Sequence, residues 1–227
     1  RNPSGTGAFR FAEWQSNTRV VVERNPDYWD GAPPLEAVVY RPITDANTRV
    51  AAMLSGEIDV MVEVPPDNVA TFSDSADFEV YEEAGPHLWF LILNAKEGPF
   101  ANKAARQAVN YAVDKQSLVD NVLQGTATVA AGPTPPAFNW AYNEDLDPYP
   151  YDPDKARDLL AEAGVEEGTG VTFYVTQGGS GMLDPVAMGT AIQADLEAVG
   201  LDVEIETYEW NTFLGIVNPG LEGKADM

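Results

Sequence analysis

Hydrophobic and polar positions alternate along the first forty residues and then change period. Phe9, Phe11 and Trp14 roughly alternate with polar neighbours, Arg19 to Glu23 is a β-branched run, and Asn25, Pro26 and Asp27 end it with turn chemistry. This pattern predicts a hairpin. Beyond the breaker at residues 30–34, Ala37 to Tyr40 make a second β-branched run. Thr44 or Asp45 is placed to cap a helix whose Val50, Met53 and Leu54 share one face. Ser55, Gly56 and Glu57 stop that helix, and residues 58–62 read as another buried strand.

The same reading continues downstream. Residues 78–83 alternate as a strand, residues 87–94 form a nearly continuous apolar strand, and Ala84, Gly85 and Pro86 between them mark a hinge and domain boundary. Two consecutive helices are predicted over 102–113 and 114–123, the second capped by Asp114 and stopped by Gly125. Residues 132–153, rich in Pro, Tyr, Asn and Asp, predict an irregular surface excursion. A short amphipathic helix then runs from Pro153 to Ala163 and stops at Gly164. The last third reads as strand 171–176, helix 182–199 and strand 201–208, a unit that favours parallel pairing. No internal repeat is evident, so the class is α/β.

The order of these segments carries a resemblance. GTGAF, VVVERNPDYW and RPITDANTRVAAMLSGEID are followed by PFANKAARQAVNYAVDKQSLVDNVLQGTATVA, DPDKARDLLAEAGV and IQADLEAVGLDVEIETYEWNTF. Together they resemble, over nearly the whole chain, the extracytoplasmic solute-binding proteins of oligopeptide and dipeptide ABC importers, solute-binding family 5. The resemblance implies a two-lobed, periplasmic-binding-protein type II-like α/β fold, present here only as a fragment because family members are considerably longer. Residues 1–84 would then be part of the first lobe, and 85–227 part of the second, truncated at its C-terminus. The implied function is capture of a peptide or similar small polar solute between the lobes and its delivery to an ABC permease in the membrane. The protein would act as a monomer and perform no covalent chemistry. Its implied location is periplasmic or extracellular, anchoring to the cell surface by lipid included, with its export signal removed.

Charge narrows the partners. The chain has 36 acidic and 13 basic residues, a formal net charge of −23. A phosphate backbone needs clustered Lys and Arg, so nucleic acid is excluded as an expected partner, and anionic membranes are disfavoured for the same reason. The plain reading of the acidity is a strongly solvated surface suited to salty surroundings or to solubility. The absence of cysteine removes disulfides, zinc fingers and thiol nucleophiles. No apolar run is long enough to span a bilayer.

Catalytic chemistry finds little support. His87 is the single histidine, no GxSxG elbow accompanies it, and a lone His at a strand start is more often structural than a base. With so many carboxylates, acidic pairs arise by chance. A carboxylate-dependent hydrolase nevertheless stands as the rival from another class, and a solute-sensing module for a chemoreceptor as the rival within the fold. If Asp145 opened a calcium loop, Pro150 would fall where Gly is required and Ala156 where Glu is required, so no metal or cofactor is expected.

The candidate ligand contacts come mainly from the resemblance. Val62 and Glu63 match a family position lining the first lobe's side of the cleft, where a carboxylate holds a ligand ammonium or makes a surface salt bridge. His87, Trp89 and Phe90 lie on a strand that in the family pairs with extended peptides. Trp89 and Phe90 point to opposite faces of such a strand, and core packing is the default for either. Gln177, Gly178 and Ser180 follow a strand after which the family places binding residues. Gly178, Gly179 and Gly181 are also compatible with an anion at exposed N–H groups, or simply with a tight turn. Peptide-binding members carry a basic carboxylate clamp near the helix after EWNTF. Here that stretch is Gly215, Ile216 and Val217, without Arg or Lys.

Overall fold

The computed structural model describes residues 4–179, 181–221 and 223–227. The chain forms two compact units, Arg1–Met61 and Val62–Met227. The expected lobe boundary at 84/85 falls inside the second of these.

The first unit is an antiparallel meander followed by a helix. Strands β1 (Phe9–Gln15), β2 (Arg19–Arg24) and β3 (Ala37–Tyr40) pair in that order, with Trp14 opposite Val20 and Val22 opposite Val38. The turn between β1 and β2 uses Asn17 at φ 57°, a left-handed conformation that Asn tolerates better than most side chains. A register shift between Phe11 and Glu13 interrupts the simple alternation. Asp45 caps α1 (Ala46–Leu54) by accepting the Thr48 N–H at 2.7 Å, as its position predicts. The buried side of α1 is formed by Val50 and Ala52 with Met53 half-buried. Leu54, expected on that face, is exposed.

The second unit contains the main core. After the short helix α2 (Val69–Ser73), Asn102 caps α3 (Lys103–Ala112), whose Ala104, Ala105, Ala108, Val109 and Ala112 are buried at helical spacing. Asp114 caps α4 (Lys115–Ser117), which continues as a π-helical turn over Leu118–Val122. Helix α5 (Pro153–Glu162) starts at a proline and buries Ala156, Leu159 and Leu160 against α3. Strands β4 (Thr169–Thr176) and β5 (Leu201–Tyr208) are parallel, with Val171 opposite Val203, and helix α6 (Pro185–Glu197) connects and covers them. Alternate residues Val171, Phe173 and Val175 face inward, where they meet Ile192 and Leu196 of α6. Helix α7 (Trp210–Val217) follows β5, capped by Glu209.

Two sequence expectations shift. Helix α6 begins at Pro185 rather than 182 because Asp184 caps it and its proline fits the first turn. The segments expected as strands at 58–62, 78–83 and 87–94 enter no ladder among the described residues. Strand formation requires a neighbouring edge, which side-chain alternation alone does not supply. Within 87–94 burial alternates over 89–93: Trp89, Leu91 and Leu93 are half-buried while Phe90 and Ile92 are exposed. At the end of this segment, the Asn94 N–H donates to Asp226 O at 2.8 Å. Asp226 and Met227 in turn bond to the backbone of Thr172 and Tyr174, along the β4 edge opposite β5.

Candidate functional site

Parallel β4 and β5 end together, and the loops leaving them meet residues 63–89. Thr176, the last residue of β4, is buried; its hydroxyl donates to Gly178 O and accepts from Gly178 N–H, which turns the chain sharply away from the strand. The Gln177 N–H donates to Tyr208 O at 2.8 Å, so the two strands stay in register to their ends. In α/β folds the space beyond the carboxyl ends of parallel strands, beside a helix N-terminus, is where ligands bind.

Gly181 is the point of convergence. Its N–H donates to Glu63 Oε1 at 2.8 Å, and its carbonyl accepts from Trp89 Nε1 at 3.4 Å. A Cβ at Gly181 would stand 2.6 Å from Cγ of His87, so the imidazole lies against the glycine backbone. Gly179 is packed in the same way by Trp210, the first residue of α7, whose ring stacks with Phe213 at a centroid distance of 6.1 Å. Glycine is needed at both positions because aromatic side chains occupy the places a side chain would take.

The structure therefore gathers Glu63, His87 and Trp89 with the loop that begins at Gly178. Val62 and Phe90 are 75% and 70% exposed. Gln177 is exposed, with its side-chain amide 3.4 Å from Thr207 Oγ1. Ser180 lies outside the described residues. Two participants escaped sequence reasoning, Thr176 and Trp210. For Trp210 a signal existed, an aromatic residue immediately after a helix-capping Glu209 at the end of β5. Thr176 gave none, since a threonine ending a strand is ordinary.

Near the same strand ends, Tyr208 Oη donates to Glu206 Oε2 at 2.6 Å, and this bond pushes the phenol's pKa upward. Among the described residues no group of three or more His, Asp or Glu side chains is arranged to hold a metal ion, and no helix is long and apolar enough to cross a membrane.

Comparison with known proteins places this geometry in context. Residues 1–227 match the family model described as bacterial extracellular solute-binding proteins, family 5, middle. Heme-binding protein A of Haemophilus influenzae is 34% identical over 92% of the chain and 38% of its own length. The dipeptide-binding protein of Escherichia coli is 33% identical over 94% of the chain and 40% of its own length. Among solved structures, the ABC transporter-associated periplasmic binding protein DppA of Helicobacter pylori, in complex with the peptide STSA, superposes with a TM-score of 0.83 at 32% identity. That match covers 93% of the chain and 40% of the solved one. The chain thus spans about two fifths of the length of these relatives.

Proposed function

The chain belongs to the family 5 bacterial extracellular solute-binding proteins, and from that membership we propose that it contributes to a substrate-binding component of an ABC importer that captures a short peptide or similar small polar solute. The observation that carries this reading is the convergence of Glu63, His87, Trp89 and Trp210 on one loop beyond the carboxyl ends of β4 and β5. The similarity to a peptide-loaded binding protein supports a peptide as the solute class.

In this proposal residues 1–84 belong to the first lobe and 85–227 to the second, and ligand contacts favour the closed arrangement that a membrane permease recognises. The protein acts as a monomer outside the cytoplasm and releases its ligand unchanged. The test is isothermal titration calorimetry of the full-length protein against a panel of dipeptides and tripeptides, including Met-Leu, and the tetrapeptide STSA. One-to-one binding at micromolar or tighter affinity is expected for at least one peptide. No binding across the panel would refute the peptide reading.

A further inference from the structure

The family resemblance implies that the Glu63 carboxylate holds a ligand ammonium or makes a surface salt bridge, but Glu63 Oε1 accepts from the protein's own main chain. Its acceptor bond to Gly181 N–H joins residues 118 apart in sequence. Gly181 is held on its other polar group by Trp89, and on its open face by the His87 ring. Glu63 itself adopts φ 59°, a left-handed conformation unfavourable for a non-glycine residue, which persists only where surrounding contacts offset it. Strain, a charge-assisted bond and a glycine without room for a Cβ all bear on one loop position.

We propose that Glu63 is a positioning residue of the binding site, whose carboxylate fixes the loop between β4 and α6 so that residues 177–179 are presented to the ligand. This rests on the solute-binding reading above. Glu63 sets affinity through the loop and does not touch the ligand. An ionised acceptor holds an N–H more strongly than a neutral one, so both the charge and the reach of the side chain matter. Gln at this position keeps the reach and an acceptor oxygen; Ala keeps neither.

The experiment compares full-length wild type, Glu63→Gln and Glu63→Ala by amide hydrogen exchange over residues 177–182 without ligand, and by calorimetry with the tightest-binding peptide of the same panel. Exchange is expected to accelerate about tenfold in Glu63→Ala and by a smaller factor in Glu63→Gln, with Kd weakening in the same order. Unchanged loop exchange in Glu63→Ala would overturn the proposal; should that variant fail to fold, unchanged exchange and Kd in Glu63→Gln would do so. A loosened loop with unchanged Kd would also overturn it, as would a Kd weakened without loosening, which would mean direct contact with the ligand. A wild-type protein that binds no peptide defeats the solute-binding reading and this proposal with it, and that failure is recognised by the wild-type titration alone.

Discussion

Replacing three glycines by alanine separates backbone strain from side-chain crowding at the loop. Gly125 and Gly181 have nearly equal positive φ, 78° and 75°, but a Cβ at Gly125 meets nothing within 4 Å while one at Gly181 meets the His87 ring. Gly125→Ala therefore measures the left-handed penalty alone, about 1 kcal/mol. Gly181→Ala adds displacement of an exposed histidine, which can swing outward at a rotamer cost of about 1 kcal/mol, for a total near 2 kcal/mol. At Gly179, φ is 153° and the added Cβ would lie 2.6 Å from Cε3 of Trp210, a ring held by its stacking with Phe213. That ring cannot swing away as cheaply, so Gly179→Ala is expected to cost most, about 3 kcal/mol. Urea unfolding followed by tryptophan fluorescence gives the three differences. Adding His87→Ala should recover the crowding part of the Gly181→Ala loss and leave the strain part. Equal losses at Gly125 and Gly181, or a smaller loss at Gly179 than at Gly181, would refute the packing described for this loop.

Asp195 on α6 accepts the Asp114 N–H at 2.9 Å, and burial raises its pKa above the ordinary 3.8. A carboxyl raised in the folded state favours folding while protonated, so stability is lost as pH rises from about the ordinary value through the folded one. Asp195→Asn keeps an acceptor and removes that ionisation. It should raise the urea midpoint relative to wild type at pH 7, with the gain shrinking toward pH 4; a gain that grows on acidification would contradict this. The net charge of −23 leads to a second expectation. Ion pairs such as Arg19–Glu13 and Arg41–Glu57 are solvent-exposed and occupy few of the 36 acidic side chains, so the folded state carries uncompensated repulsion. Raising KCl from 0.1 M to 1 M shortens the screening length from about 10 Å to about 3 Å and should raise the unfolding temperature. A constant or falling midpoint would refute that account.

Local chemistry made much of the fold legible. The β-branched runs at 19–23 and 37–40 became strands, Asp45, one of two candidate caps, and Asp114 became helix caps, and the segments 171–176 and 201–208 became a parallel pair. Residues 87–94 show why the remainder was less legible. Their nearly continuous apolar run suits an extended segment, but a ladder depends on a partner edge distant in sequence, about which the segment itself says nothing. The site followed the same division. Resemblance pointed to Glu63, His87, Trp89 and Gly178 individually, whereas the bonds from Glu63 and Trp89 to Gly181 span 118 and 92 residues and follow only from the tertiary fold. Phe90 beside Trp89 shows how one step along an extended chain exchanges a half-buried position for an exposed one.

We read the loop after β4 and the residues gripping it as part of the ligand site. Hydrogen exchange of the full-length protein, with and without a saturating peptide from the panel, tests this directly. Residues 87–90 and 177–182 are expected to gain protection together when the peptide binds. Protection confined to other segments, with these two unchanged under saturation, would contradict it.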